Sequence, residues 1–308
     1  MNKTVGLLFA GQGAQKVGMG KDLVETNAEA CAVFAQADAV LGRSLTQVCF
    51  EGPIDELTKT SNCQPGIFVH SLACLAALKK EKPDLTVKFM AGLSLGEFSA
   101  HSAAGTFSFE EGLKLVQQRG TFMQEACEVT QGGMISLIGA DETQARKIAA
   151  EADVDVANFN CPGQIVLSGE SSKIARAIEV AQANGVKRVI PLTVAGAYHS
   201  RLMRSAQENL SAVVKGMKFN QPTCPVISNI HGVPAGTVEE IKDSVIGQVT
   251  SSVRWDESMR YAIAQGCTEY IELGPGNVLS GFMKRIDKNV TIHTICDAAT
   301  LADTLMKL

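Results

Sequence analysis

Bulky aromatic residues are scarce: one Trp, three Tyr and twelve Phe in 308 residues. Glycine is plentiful at 28, and with many Ala and Ser it points to helices packed closely on strands. Basic residues do not outnumber acidic ones; 28 Lys plus Arg stand against 32 Asp plus Glu, a net charge of −4. No basic run is present that could track a phosphate backbone, which argues against nucleic acid as a partner. Long apolar runs are missing too. No stretch approaches the ~18 consecutive apolar residues of a membrane-crossing helix, so no membrane partner is expected. The apolar opening through Leu7-Leu8-Phe9-Ala10 is too short for a signal-peptide core and meets Gly11-Gln12-Gly13 at once. Residues 1–10 read as a buried first strand, and the expected location is the cytoplasm. The nine cysteines (Cys31, Cys49, Cys63, Cys74, Cys127, Cys161, Cys224, Cys267 and Cys296) are scattered, without a C-x-x-C pair. That pattern fits neither a disulfide framework nor a zinc cluster, so no metal is expected. They read as small buried hydrophobes in a reducing compartment.

What is present is a globular composition, 45% apolar and 19% charged, which excludes disorder as the main state. The patterning is mixed α/β and changes once. Residues 1–128 read as a strand, helices, a strand at Val87–Ala91 and more helix. From 129 to 195 the order becomes strand Gly133–Gly139, helix Asp141–Ala152, and strands Val154–Asn160 and Gln164–Ser168 across a Cys161-Pro162-Gly163 turn. Helix Ser171–Ala183 and strand Lys187–Thr193 follow. That βαββαβ order is the ferredoxin-like unit. The expected fold is α/β: a larger α/β-hydrolase-like body, residues 1–128 and 196–308, with a small ferredoxin-like subdomain, 129–195, inserted in it. A cleft between two such lobes is a natural ligand site.

Gly92-Leu93-Ser94-Leu95-Gly96 fits G-x-S-x-G, and its setting is the one the motif's chemistry requires. A β-rich run precedes it and a helix of small residues, Leu95–Ala104, follows. Glycines on both sides allow a sharp strand-to-helix turn that holds the Ser94 hydroxyl at its tip, near backbone N–H groups able to meet an oxyanion. A plain Gly-Ser turn without chemistry is the alternative. A serine nucleophile needs a base. Of five histidines, His101 lies seven residues after Ser94 on the same helix, about 10 Å away at ~1.5 Å per residue, and cannot reach it. His70, four residues before Cys74, has metal-like spacing but no further ligands, and reads as core or surface. His231, before Gly232 in a turn, and His293, in an alternating run, read as structural. His199 falls where the small subdomain hands back to the body, which puts it at the cleft and makes it the candidate base.

Arg119 carries a separate signal. Ser108 and Glu111 form a capping box that opens a helix to about Ala126. On it, Leu115, Val116, Phe122 and Met123 surround Arg119 at helical spacing, so its guanidinium points inward without a local counter-ion. Something must complete it. Either a distant carboxylate pairs with it, or it is a bidentate seat for a substrate carboxylate. Ser94, His199 and Arg119 together suggest acyl transfer on an acyl group that carries a free carboxylate.

At these residues the chain resembles the malonyl-CoA:acyl-carrier-protein transacylases, a family that includes the trans-acting acyltransferases of polyketide synthases. The likeness runs over essentially the whole chain. It rests on Gly11-Gln12-Gly13-Ala14-Gln15, the elbow with Glu97, Gln118-Arg119-Gly120, Asn158-Phe159-Asn160-Cys161-Pro162-Gly163-Gln164, His199, Gln248 ahead of Trp255, and Gly274-Pro275-Gly276. The resemblance implies a ping-pong transfer of malonyl from malonyl-CoA to the phosphopantetheine thiol of an acyl carrier protein, with no cofactor beyond the substrates. It makes Ser94 the nucleophile and His199 the base, with backbone N–H groups of Gln12 and Leu95 as oxyanion donors and Arg119 as carboxylate seat. It also implies that a backbone carbonyl at Gln248, not an Asp, orients the histidine, and it brings Tyr198 and Asn160 to the substrate. Leu93 stands where the family usually has a histidine, and Ala10 where it often has a proline. Gly196-Ala197-Tyr198-His199 looks more like the polyketide branch, which leaves fatty-acid and polyketide chain extension both open. The competing enzyme reading is a hydrolase that clears stalled carrier proteins with the same Ser94 and His199, and Arg119 argues against it. A catalytically dead docking module would lack the nucleophile or the base. A monomer is expected, and Lys284, Arg285 and Lys288, or Arg201 and Arg204, are candidate contacts for an acidic carrier.

Overall fold

The computed structural model describes residues 4–308; Met1, Asn2 and Lys3, at the head of the expected first strand, lie outside the described residues. Strands β1 (Thr4–Phe9), β2 (Thr86–Gly92), β7 (Glu269–Leu273) and β8 (Thr291–Ile295) form one sheet in the order β2-β1-β7-β8. Every pair in it is parallel. β1 is buried from Val5 to Phe9, the near-continuous apolar run of a strand covered on both faces. The chain passes from β1 to β2 on one side and returns to β7 on the other. The crevice at such a switch point, beyond the carboxyl ends of the strands, is where open parallel sheets bind ligands. Gly11-Gln12-Gly13 and Leu93-Ser94 leave the sheet at that end.

Two helices cover the crevice from one side. Thr60–Glu81 is buried along most of its length, and Phe109–Val129 packs against it. Pro65 lies inside the first and cannot bond the Ser61 carbonyl, so Arg43 Nη2 donates to that oxygen at 3.4 Å. The second opens with the expected capping box of Ser108 and Glu111. A Cβ on Gly120 would stand 2.6 Å from the Thr60 carbonyl oxygen. Only glycine lets the two backbones come this close, and the close approach brings the neighbouring Arg119 over the end of the sheet.

Strands β3 (Gly132–Ile138), β4 (Asp155–Cys161), β5 (Gln164–Glu170) and β6 (Arg188–Pro191) form a second, antiparallel sheet in the order β4-β5-β3-β6. Helices Glu142–Ala152 and Ser171–Ala183 complete the expected βαββαβ pattern, around their own core of Ile135, Leu137, Ile148, Leu167 and Ala177. β6 is shorter than the expected 187–193 because Pro191 has no N–H, although Leu192 N still donates to Met134 O at 2.9 Å. Backbone bonds tie this sheet to the rest: Phe159 N donates to Val253 O and Val253 N to Ala157 O, each at 2.8 Å.

All nine cysteines are free thiols; seven are buried, but Cys31 is exposed and Cys296 half-buried, so those two are not core hydrophobes. Two of the candidate basic contacts also have partners within the chain. Arg201 pairs with Asp153 at 2.7 Å and Asp155 at 2.9 Å, while Arg285 donates to Pro162 O at 2.7 Å and Gln164 Oε1 at 3.3 Å. Among the described residues, no helix is long and apolar enough to cross a membrane.

Candidate active site

β2 ends at Gly92, and the helix Leu95–Ala103 begins two residues after Leu93. Between them Ser94 sits at φ 53° and ψ −106°, a conformation that L-residues rarely adopt. The turn is too tight for a side chain at Gly92, where a Cβ would lie 1.9 Å from the carbonyl carbon of Gly96. Asn229 holds the turn from the opposite side. Its Oδ1 accepts the Ser94 N–H at 2.6 Å and its Nδ2 donates to the Gly92 carbonyl at 2.7 Å. Leu95 is the first helical residue and is buried. The N–H groups of a first helical turn have no partner within the helix, so its end is disposed toward negative charge.

His199 also has a positive φ, 55°. Its ring is buried between two partners: Nδ1 lies 2.7 Å from the Gln248 carbonyl oxygen and Nε2 2.8 Å from Ser94 Oγ. A carbonyl can only accept, so Nδ1 carries the proton and Nε2 presents its lone pair to the serine hydroxyl. Burial, and then the charge of Arg119, push His199 down to about 4, against the bonds at Nδ1. The imidazole is therefore neutral at pH 7.

Arg119 is 1% exposed and makes no ion pair among the described residues. A distant carboxylate in direct contact is thus not what completes it. Nη1 donates to Gln64 Oε1 at 2.6 Å, and Nη2 donates to Gln248 Oε1 at 2.7 Å and to Ser94 Oγ at 3.0 Å. Its Nε is buried without a partner, and its carbon Cζ lies 5.0 Å from the centre of the Phe98 ring. Burial lowers Arg119 to about 10, which leaves it charged at neutral pH.

The cavity in front of these groups measures about 210 Å³. Its wall includes Gln12, Ser94, His199, Tyr198 and Asn160, with Met123, Met134 and Phe282 as apolar surface. The Tyr198 hydroxyl lies 2.7 Å from Thr60 Oγ1 and accepts from Gln12 Nε2 at 3.4 Å, which fixes the ring. Gln12 Oε1 in turn accepts from Gln64 Nε2 at 3.3 Å. Asn160, on β4, is buried with its Oδ1 unpartnered. All the residues expected at the site are thus gathered at one end of the parallel sheet. The other histidines are elsewhere: His70 is buried in the Thr60–Glu81 helix, His101 bonds Thr106 Oγ1 at 3.0 Å, and His293 lies 3.0 Å from Glu269 Oε1. His231 lies in the turn after Asn229.

Sequence reading assigns no role to three residues of the site, one of which, Glu97, closes the elbow motif. Gln64, Glu97 and Asn229 are buried and polar, and each bonds a residue that the sequence singles out. Gln64 and Glu97 lie among apolar or small neighbours on buried helices, which is the signal that could have found them. Asn229 stands in a turn, where nothing distinguishes it from any turn asparagine.

The acyl transferase domain family matches residues 7–299. The malonyl CoA-acyl carrier protein transacylase of Bacillus subtilis is 40% identical over 302 residues, 96% of this chain and 95% of the relative. That of Staphylococcus aureus strain MW2 is 37% identical over 300 residues, 96% of each chain. Among solved structures, the malonyl CoA-acyl carrier protein transacylase of Coxiella burnetii superposes with a TM-score of 0.96 at 32% identity, covering 100% of this chain and 98% of the other. A malonyl-transacylase solved in complex with its type II polyketide-synthase acyl-carrier protein superposes with a TM-score of 0.95 at 35% identity, covering 99% and 100%. With His199 and Arg119 both on the elbow serine and relatives matched over 96% of its length, the chain belongs to the malonyl CoA-acyl carrier protein transacylase family of acyl transferase domains.

Proposed function

We propose that this chain moves a malonyl group from malonyl-CoA to the phosphopantetheine thiol of an acyl carrier protein. The observation that carries the reading is the single Ser94 oxygen held between His199 Nε2, at 2.8 Å, and Arg119 Nη2, at 3.0 Å. One partner takes the hydroxyl proton, and the other is a fixed cation that can turn to a carboxylate.

In the first half-reaction Ser94 Oγ bonds to the thioester carbonyl carbon while its proton passes to His199 Nε2. The carbonyl oxygen gains negative charge and is met by the backbone N–H groups of Leu95 and Gln12. The C–S bond then breaks, and His199 returns the proton to the departing CoA thiolate. Arg119 gives up its contact with Ser94 Oγ and seats the malonyl carboxylate with charge-assisted bonds. In the second half-reaction the carrier thiol loses its proton to His199 and attacks the Ser94 ester. The bond from the acyl carbon to Ser94 Oγ breaks, His199 returns the proton to Ser94 Oγ, and the carrier leaves as the malonyl thioester. The Gln248 carbonyl keeps the histidine in the tautomer both steps need. Asn160 and Tyr198 line the approach, and residues 129–195 act as the small subdomain that walls the cleft. The chain works without a cofactor or metal, as a monomer in the cytoplasm. It serves fatty-acid or polyketide chain extension.

The test is transfer itself. Incubation with malonyl-CoA and a phosphopantetheinylated carrier protein should convert the carrier to its malonyl form, read by mass, with release of one CoA per carrier. Free malonate in place of malonyl-carrier would show a hydrolase instead.

A further inference from the structure

The side-chain amide of Gln248 lies between two buried charges. Its Oε1 accepts from Arg119 Nη2 at 2.7 Å, and its Nε2 donates to Glu97 Oε2 at 2.5 Å and to the Ser94 carbonyl at 3.2 Å. A guanidinium offers only donors and an ionised carboxylate only acceptors, so the amide can satisfy both in a single orientation. Glu97, on the Leu95–Ala103 helix, is fully buried and has no ion pair among the described residues. Its remaining support is polar and neutral. The Ser244 hydroxyl lies 3.4 Å from Oε1, and the nearby Asn229 backbone also favours the charged carboxyl. A buried carboxylate and a buried guanidinium are each costly alone. Here they compensate each other across one amide.

We infer that Glu97 is a positioning residue for the substrate's carboxylate: through the Gln248 side chain it aims and balances the Arg119 guanidinium. The inference rests on the transfer reading above and deepens it. Burial pushes Glu97 up to about 7 against the donors and Arg119, so its charge depends on those contacts. A glutamine at this position would offer Gln248 an N–H as readily as a C=O. The Gln248 amide could then turn its NH₂ toward Arg119 and displace the fork from its place beside Ser94 Oγ. His199 would keep its place, because it is held by the Gln248 backbone carbonyl rather than by the amide. The effect should therefore fall on substrates that carry a carboxylate.

The experiment compares kcat and KM for malonyl-CoA and acetyl-CoA on wild type and Glu97→Gln, with one carrier protein. Glu97→Gln should raise the malonyl-CoA KM about tenfold with a smaller change in kcat. The malonyl-to-acetyl ratio of kcat/KM should fall by a similar factor. Equal losses for both donors would make Glu97 merely structural and overturn the inference. Glu97→Asp, which withdraws the carboxylate by one methylene, should lower the ratio about threefold and serves in its place if Glu97→Gln does not fold. Gln248→Met cuts the link from the other side. In that background Glu97→Gln should lower the ratio less than about twofold further, because coupled residues do not add; full additivity would show that Glu97 does not act through Gln248. Absence of malonyl transfer by wild type would instead bring down the reading beneath the inference.

Discussion

Asn229 takes the N–H of Ser94 at 2.6 Å, although 135 residues separate them, and with the same amide donates to Gly92 at 2.7 Å. The strained turn that exposes the nucleophile is thus held by a side chain from outside its strand and helix. Asn229→Ala would leave a buried N–H and a buried carbonyl unpartnered, each worth about 1–3 kcal/mol. Unfolding by denaturant should show a loss in that range or above, with slower acylation of Ser94. A loss below about 0.5 kcal/mol would mean the turn holds itself.

Arg119→Ala should cost malonyl transfer more than acetyl transfer. Charge-assisted bonds to the acyl carboxylate are worth about 1.5–3 kcal/mol, or about 10–150-fold at ~1.4 kcal/mol per decade. Acetyl-CoA has no carboxylate to seat, so its rate should fall far less or rise. Equal losses, measured as kcat/KM for both donors, would return Arg119 to a purely structural role.

Much of the site was legible in the sequence because its chemistry imposes local patterns. The elbow needs glycines at fixed offsets, and Arg119 stands out because every neighbour on its helix face is apolar. The two-sheet fold was legible for a similar reason: its strand and helix periods change near residue 129. His199 was found by excluding the other histidines and by its place where the small subdomain hands back to the body. Gln64 and Asn229, and the role of Glu97 beside the elbow, escaped because an amide or carboxylate becomes functional only through partners far along the chain. The same holds for the bond of Arg201 to Asp155, which lies 46 residues away.

Tyr198 should exclude branched acyl groups. Its hydroxyl is tied to Thr60 at 2.7 Å, so the ring is a fixed wall of the cavity. One extra methyl against such a wall costs about 1–3 kcal/mol. Tyr198→Ser should therefore raise methylmalonyl transfer relative to malonyl by about 10-fold or more, read from kcat/KM for both thioesters. An unchanged ratio would place the second carbon of the acyl group away from this ring.

Acid should destabilise the fold well before its ordinary surface carboxylates are titrated. Burial pushes His70 down to about 4, His101 to about 3 and His199 to about 4. The unfolded chain takes up these protons near pH 6.5, whereas the folded one does not, so their contribution is whole above pH 6.5 and is lost as pH falls toward 4. Glu97, up to about 7, and Glu272, also raised by burial, act in the opposite sense; their contribution is present at low pH and lost as pH rises. Three histidines outweigh two carboxyls by about one to two protons, or ~1.4–2.7 kcal/mol per pH unit near pH 5.5. The melting temperature should fall between pH 7 and 5; a flat or rising curve would contradict this balance. Because His199 stays neutral down to about 4, the acid limb of acylation should lie well below the 6.5 of an ordinary histidine.

The covalent intermediate is the central claim, and intact mass measures it directly. Wild type mixed with malonyl-CoA should gain the mass of one malonyl group, located on Ser94 by peptide mapping. The adduct should disappear when a phosphopantetheinylated carrier protein is added, and the carrier should gain the same mass. Ser94→Ala, with its fold intact by circular dichroism, should show no adduct at any stage. A malonylated Ser94→Ala protein, or wild type that charges the carrier without ever carrying the group itself, would contradict the account.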